Sequence, residues 1–194
     1  MDFYSAYAHG FARVAACTQP VAIADPATNA ARTIEQARHC HDDGVAVAVF
    51  PELGLSGYAV DDLFLQDTLL EAVLAGLKEI VEASQDLRPV IVVGAPMLHG
   101  NRIYNCAVVI HAGYILGVSP KSYLPTYREF YERRWFAPGD DMAGSSLMFG
   151  DHEVPFGPDL IFAAADLPDL KLHVEVCEDM WVPIPPSAEA ALAG

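Results

Sequence analysis

The chain has 194 residues, of which 53% are apolar and 19% are charged, and its 26 acidic and 11 basic side chains give a formal net charge of −15. This balance is the reverse of that found in disordered chains, so we expect a folded core. The length suits one domain, or part of a larger one. Because the negative charge repels phosphate groups, nucleic acids and anionic membranes are disfavoured as partners.

The distribution of apolar residues and cysteines bears on where the protein resides. No apolar run reaches the roughly 18 residues that a membrane-spanning helix needs, and residues 1–10 lack a basic stretch followed by an apolar one. The four cysteines, Cys17, Cys40, Cys106 and Cys177, are far apart and show no paired spacing. We therefore expect reduced thiols in a cytoplasmic protein, one of which could be a nucleophile.

The apolar periodicity of the first half predicts strands alternating with helices. Strands are predicted at residues 11–18, 45–50 and 90–93, with helices at residues 25–41 and 61–85. The apolar positions assigned to the first helix are Ala30, Ala31, Ile34 and Ala37, and those assigned to the second begin at Leu65. This order is typical of an α/β sheet with parallel strands.

The second half predicts further strands and little helix. Residues 102–111 and 114–118 are expected to form a hairpin around Ala112-Gly113. Two more strands are expected at residues 160–165 and 170–176, and Ser187 is expected to cap a last helix. In open α/β sheets, functional side chains gather at the carboxyl ends of the strands.

Three polar residues follow predicted strand ends, namely Glu52, Lys121 and Cys177. Each has an ordinary structural explanation, because a cysteine at a strand end is often packed in the core and a Glu or Lys after a strand is often solvated. Together, however, they provide a nucleophilic thiol, a carboxylate that can take its proton and an ammonium that can stabilise an oxyanion.

Three segments of the sequence resemble the signature segments of the nitrilase, or carbon–nitrogen hydrolase, superfamily. They are FPELGLSGY at residues 50–58, PKSYLPTYREFYERRWF at residues 120–136 and VEVCEDMW at residues 174–181. The longer stretches LPTYREFYERRWFAPGDD and CEDMWVPIPPSAEAALAG are similar to the amino-terminal glutaminase domains of glutamine-dependent NAD synthetases. The resemblance covers essentially the whole chain and implies the amino-terminal part of a nitrilase-like αββα sandwich.

The resemblance also implies roles for these residues. Glu52 matches the general base, Lys121 the oxyanion-stabilising cation and Cys177 the nucleophile. The superfamily uses a second glutamate shortly after the lysine, which positions the lysine and the attacking water. For this glutamate we choose Glu129 over Glu132.

The same resemblance predicts a glutamine pocket. Tyr127 and Phe130 match residues of the aromatic segment that lines it, and Tyr58 is expected in the same cavity. Glu178 matches a residue that holds the α-amino group of the substrate, and its backbone N–H is expected to complete the oxyanion hole. The implied reaction is hydrolysis of the glutamine carboxamide through a cysteine thioester, with release of ammonia.

Further expectations concern cofactors, partners and extent. The resemblance implies no cofactor and no metal for this domain, ATP and Mg²⁺ only in a synthetase domain, glutamine as substrate, and a homo-oligomer. We expect residues 1–194 to be a glutaminase domain cut at its carboxyl end, and inactive alone. Neighbouring positions of a helix face different sides, so the sequence His39-Cys40-His41-Asp42 is not expected to bind a metal.

Two alternatives remain open from the sequence. The chain could be a stand-alone amidase or nitrilase of the same superfamily, which would act on aliphatic amides, ureido acids or nitriles instead of glutamine. It could also be a non-catalytic fragment that docks on a full-length enzyme.

Overall fold

The computed structural model describes residues 4–167 and 169–194 and contains two sheets. The larger sheet has seven strands in the order β1-β2-β3-β4-β5-β7-β6, and the smaller pairs β8 with β9. The strands are β1 Val14–Ala16, β2 Val47–Val49, β3 Val90–His99, β4 Arg102–His111, β5 Tyr114–Pro120, β6 Ser145–Phe149, β7 His152–Phe156, β8 Ile161–Ala163 and β9 Lys171–His173.

The larger sheet mixes parallel and antiparallel pairs. Strands β1, β2 and β3 are parallel, whereas β3, β4 and β5 form an antiparallel meander. The β4–β5 hairpin turns at Ala112 and Gly113, whose φ angles are 48° and 84°, as the sequence predicted. Because β5 is antiparallel to β4, it runs in the same direction as β2 and β3. The carboxyl ends of β2 and β5 therefore lie at the same end of the sheet.

Two long helices cover one face of the larger sheet. These are α1, Pro26–Asp42, and α2, Asp67–Ala83. Residues of both helices share one core cluster with residues of β2, β3 and β4. Asp25 caps α1 by accepting a hydrogen bond from the backbone N–H of Thr28. No helix in the described ranges is long and apolar enough to cross a bilayer.

The opposite face of the larger sheet packs against the smaller sheet. Val92, Ala107 and Val109 lie in a cluster with Phe162 of β8 and Leu172 of β9. The layers are therefore helices, sheet and second sheet, in agreement with the predicted α/β sandwich. A third helix, α3, Pro186–Ala193, follows and buries none of its residues.

The structure corrects the predicted face of α1. Ala31 is exposed, whereas the polar residues Asn29 and Thr33 are buried. Asn29 is buried because its side chain donates hydrogen bonds to the carbonyls of Ala22 and Leu55, at 2.7 and 2.9 Å. An apolar periodicity does not reveal such a bond between a helix and a distant loop.

Other elements also depart from their predicted bounds. The predicted helix at residues 61–85 is divided into a 3-10 helix, Asp61–Leu65, and α2, because Gln66 between them is extended. Leu65, which was predicted to lie on the apolar face of this helix, is exposed. The hairpin of β6 and β7 was missed. Ser187 does not cap α3, since that helix begins at Pro186 and the backbone N–H of Ser187 binds the carboxylate of Glu175.

We expect Gly94→Ala to destabilise the protein by about 1–3 kcal/mol, the usual cost of overpacking. A Cβ atom at Gly94 would overlap backbone atoms of Pro51 and Leu53, which cannot move away freely. The matched control is Gly117→Ala, because a Cβ there would meet only side-chain atoms of Leu160 and Phe162. Urea unfolding measures both variants, and an equal or greater loss for Gly117→Ala would contradict this account.

Candidate active site

The loop that carries Glu52 leaves β2 and lies along β3. The backbone N–H of Phe50 donates to the carbonyl of Val92 at 2.9 Å, and that of Leu55 donates to the carbonyl of Gly94 at 3.1 Å. The absence of a side chain at Gly94 allows this close approach. These hydrogen bonds to β3 hold the loop, and with it Glu52, in a fixed position relative to the sheet.

Lys121 directly follows β5 and has no exposed surface. Its Nζ atom lies 2.8 Å from Oε1 of Glu52 and 2.8 Å from Oε1 of Glu132. Burial alone would lower the pKa of Lys121, but the two carboxylates outweigh this effect and the pKa is raised. The side chain is therefore an ammonium held between two carboxylates.

The structure corrects the choice of the second glutamate. Glu132 is 1% exposed and contacts Lys121, whereas Glu129 is exposed and has no hydrogen bond or ion pair within residues 4–167 and 169–194. The backbone at Arg128 is left-handed, with a φ of 55°, and a short 3-10 helix starts at Glu132. This turn brings Glu132 to the lysine. The sequence offered both glutamates at similar spacing and gave no sign of the turn.

Tyr58 also reaches this charged group. Its hydroxyl donates a hydrogen bond of 2.6 Å to Oε1 of Glu132. Burial and this bond raise the pKa of Tyr58, so the phenol stays protonated. Burial likewise raises the pKa of Glu132, although Lys121 and Tyr58 act to lower it. Oε2 of Glu132 is buried and has no partner among the described residues.

Cys177 lies at the start of a 3-10 helix, Cys177–Trp181, with a φ of 49°. A left-handed backbone at a residue with a side chain costs free energy and is often found at functional positions. The Cys177 side chain is exposed and, together with Glu52, lines a small cavity of about 120 Å³ beside β3 and β4. The thiol and the Glu52 carboxylate therefore lie at the same accessible cavity.

The thiol of Cys177 is neutral at rest. Its pKa is raised to about 11, first by partial burial of the sulfur and then by the negative charge of Glu52. The charge of Lys121 acts in the opposite direction but is the weaker influence. The effect of Glu52 on the pKa of the thiol thus exceeds that of Lys121, a balance that the sequence left open.

Asp179 is a buried residue that sequence analysis missed. Its carboxylate accepts hydrogen bonds from the backbone N–H groups of Ser122 and Tyr123 at 3.1 and 2.8 Å, and from that of Val176 at 3.1 Å. It therefore connects the segment after Lys121 to the residue before Cys177. A sequence signal was present in CEDMW, where an acidic residue lies two positions after the cysteine.

The residues proposed for the glutamine pocket form a neighbouring group. The hydroxyl of Tyr127 donates to the Glu178 carboxylate, at 2.9 Å from Oε2 and 3.1 Å from Oε1. The rings of Tyr127 and Phe130 pack edge to face with their centroids 5.7 Å apart. Glu178 follows Cys177 directly, so this group lies beside the thiol.

The three other cysteines lie in the core, and His41 contacts the backbone. Cys17 and Cys106 are buried, as predicted, and Cys40 is buried with its sulfur 3.7 Å from that of Cys17. His41 accepts a hydrogen bond from the backbone N–H of Arg88. Across the described ranges, no three or more His, Cys, Asp or Glu residues are grouped to hold a metal ion.

We expect Glu52→Gln to lower the pKa of Cys177 from about 11 towards its ordinary value of 9.0, because a nearby negative charge is removed. The assay is alkylation by iodoacetamide from pH 7 to 11, measured by mass spectrometry of the Cys177 peptide. The alkylation rate of Glu52→Gln should rise at a lower pH than that of the wild type. Glu129→Gln is the control and should leave this profile unchanged. An unchanged profile for Glu52→Gln would show that the carboxylate does not act on the thiol.

Comparison with known proteins places this arrangement in a family. The chain is 66% identical over all 194 residues to a glutamine-dependent NAD(+) synthetase of Mycobacterium leprae, and it spans 28% of that protein's length. The structure of a glutamine-dependent NAD(+) synthetase from Cytophaga hutchinsonii superposes with a TM-score of 0.78 at 26% identity, over 86% of this chain and 28% of that one.

A more distant structure shares the fold. An amidase from Nesterenkonia sp. superposes with a TM-score of 0.67 at 20% identity, over 89% of this chain and 57% of the amidase. The sequence profile described as carbon-nitrogen hydrolase matches residues 13–191. The chain, with its Glu52, Lys121 and Cys177 group at the strand ends, therefore belongs to the carbon–nitrogen hydrolase family.

Proposed function

We propose that this chain is the glutaminase domain of a glutamine-dependent NAD synthetase and that it hydrolyses glutamine to glutamate and ammonia. The observation that carries the proposal is the buried ammonium of Lys121, held at 2.8 Å from Glu52 beside the thiol of Cys177. The 66% identity to a glutamine-dependent NAD(+) synthetase supports glutamine as the amide.

The first half of the reaction forms a thioester. Glu52 takes the proton of the Cys177 thiol while the sulfur attacks the carbonyl carbon of the glutamine carboxamide. The carbonyl electrons move to oxygen, and Lys121 stabilises the resulting oxyanion. The intermediate collapses, the C–N bond breaks, and the nitrogen leaves as ammonia with the proton from Glu52.

The backbone N–H of Glu178 is the second donor to the oxyanion. It lies in the first turn of the 3-10 helix that starts at Cys177, where a helix provides no carbonyl acceptor for its own N–H groups. The left-handed conformation of Cys177 turns the chain at this point. We propose that this turn places the sulfur and the N–H on the same side of the bound amide.

The second half of the reaction releases glutamate. Glu52 takes a proton from water, the hydroxide oxygen attacks the thioester carbon, and the C–S bond breaks. The departing sulfur recovers the proton from Glu52. Oε2 of Glu132 has no hydrogen-bond partner among the described residues. We propose that Glu132 helps to position both Lys121 and the water.

Glutamine recognition is assigned to the group next to the thiol. The Glu178 carboxylate is proposed to bind the α-ammonium of glutamine, and Tyr127 orients that carboxylate through its hydroxyl. Phe130 packs against the ring of Tyr127, and Tyr58 donates its hydroxyl hydrogen bond to Glu132. A charged partner for the α-ammonium would favour glutamine over simple aliphatic amides.

The wider setting is also a proposal. These steps use no cofactor, and ATP and Mg²⁺ would serve a synthetase domain that uses the ammonia to amidate nicotinic acid adenine dinucleotide. Such a domain is the proposed partner within the full-length protein, which we expect to be a homo-oligomer. Four free cysteines suit a cytoplasmic protein.

In the NAD synthetase that carries this domain, we expect Cys177→Ala to abolish synthesis of NAD from glutamine and to leave synthesis from ammonium salts largely intact. The thioester requires the sulfur, whereas free ammonia does not pass through it. The measurement is NAD formed with each nitrogen source. An equal loss with both sources would contradict the assignment of Cys177.

The two glutamates of the aromatic segment provide a matched pair. We expect Glu132→Gln to reduce glutamate release by about a hundredfold or more, since a displaced cation and carboxylate disturb the geometry of attack. Glu129→Gln should stay within about twofold of the wild type, because that side chain is exposed and unpaired among the described residues. The reverse order of effects would restore Glu129 as the second glutamate.

A further inference from the structure

We propose that Asn105 is a positioning residue that holds one oxygen of Glu52 and thereby reserves the other oxygen for proton exchange with Cys177. The inference rests on the proposed function for its place in catalysis. The contact that carries it does not depend on which amide is the substrate. Asn105 lies in β4 and has no exposed surface.

Asn105 contacts two members of the candidate triad. Its Nδ2 atom donates a hydrogen bond of 2.7 Å to Oε1 of Glu52, and its backbone carbonyl accepts one of 2.8 Å from the backbone N–H of Lys121. Side chains alternate along a strand, so Asn105 faces the same side as Ala107, which packs towards the second sheet. Ala107 also lines the cavity that Glu52 and Cys177 share, so Asn105 faces the side of that cavity.

The two donors to Glu52 converge on the same atom. Oε1 of Glu52 receives Nδ2 of Asn105 and Nζ of Lys121, at 2.7 and 2.8 Å. A carboxylate held through one oxygen cannot rotate freely, and neither of these donors reaches its other oxygen. Glu52 and Cys177 line the same cavity, so we assign that other oxygen to the thiol. The amide thus determines which lone pairs of the base face the thiol.

Lys121 alone would hold the base less well during the reaction. Its ammonium also binds Glu132 at 2.8 Å and is assigned to the oxyanion, so its bond to Glu52 must adjust as charge develops. Asn105 has no such second task and carries no charge. It can keep the carboxylate in place without changing the charge of the site.

The other end of the Asn105 amide argues against a purely structural role. Its Oδ1 atom is buried and has no hydrogen-bond partner among the described residues. A buried acceptor without a partner destabilises the fold. An apolar residue at this position would avoid that penalty. The only side-chain hydrogen bond of Asn105 within the described residues goes to Glu52, which favours a role at the site over a role in stability.

The main test is a mutant cycle that reads the thiol directly in the full protein. Wild type, Asn105→Ala, Glu52→Gln and the double variant are alkylated with iodoacetamide across pH 7 to 11, and the Cys177 peptide is quantified. Glu52 raises the pKa of the thiol, so releasing Glu52 by Asn105→Ala should shift the profile towards that of Glu52→Gln. In the double variant, loss of Asn105 should add nothing.

The second test is the rate with glutamine. Asn105→Ala should lower kcat about tenfold to a hundredfold, the usual range for a misplaced general base, with KM within about threefold. Asn105→Asp keeps the shape but adds a negative charge beside Glu52, so the acid limb of the pH profile should move to higher pH. Ser119→Ala is the control, since Ser119 is equally buried, has an unpartnered Oγ and lies on the next strand.

The outcomes separate the proposals. If glutamine is not hydrolysed by the wild type but the alkylation cycle is non-additive as described, the proposed substrate fails and the role of Asn105 stands. The role of Asn105 is overturned if the alkylation profile of Asn105→Ala matches the wild type, or if its shift persists undiminished in Glu52→Gln. It is also overturned if KM rises with kcat unchanged, or if Ser119→Ala loses as much activity. Should Asn105→Ala fail to fold, an unmoved acid limb in Asn105→Asp overturns it.

Discussion

A lysine ammonium that water cannot reach must be balanced by charges within the protein, because an unpaired buried charge costs several kcal/mol. In this chain the balance for Lys121 comes from Glu52 and Glu132, each at 2.8 Å. These residues belong to three separate segments, which are the loop after β2, the end of β5 and the 3-10 helix at Glu132–Arg134. The ion pairs therefore hold these three segments together at the site.

Cys177 is connected to this centre through the backbone as well as through charge. Cys177 follows β9 of the smaller sheet, whereas Lys121 follows β5 of the larger one. Apolar packing between sheets permits small sliding movements, because it has no directional preference. The carboxylate of Asp179 removes that freedom, since it accepts hydrogen bonds from Ser122, Tyr123 and Val176, on both sides of the junction. These directional hydrogen bonds thus help to set the distance between the Cys177 thiol and the Lys121 ammonium.

The sequence predicted the parts of the fold that depend on local pattern and the parts of the site that depend on residue type. The strand–helix order, the β4–β5 hairpin and the positions of Glu52, Lys121 and Cys177 after strands all follow from such signals. The sequence could not predict the choice of Glu132 over Glu129, because this depends on the left-handed turn at Arg128. It also could not predict Asn105, or the contacts of Asp179 with Ser122 and Tyr123, since these partners are 53 to 57 residues away in the chain. Long-range hydrogen bonds leave no periodic trace.

The charges of Glu52, Glu132 and Lys121 explain why the thiol of Cys177 stays protonated at neutral pH. Two carboxylates and one ammonium give a net charge of about −1, and ionising Cys177 would bring a second negative charge into the same space. With a pKa of about 11, roughly one thiol in 10⁴ is ionised at pH 7. In the proposed reaction we therefore expect the sulfur to lose its proton to Glu52 as it attacks, and not to start from a preformed thiolate. That transfer neutralises Glu52 while the oxyanion forms, so the net charge of the centre stays constant and only its location changes. A base held in one orientation before the substrate arrives is what such a coupled step requires.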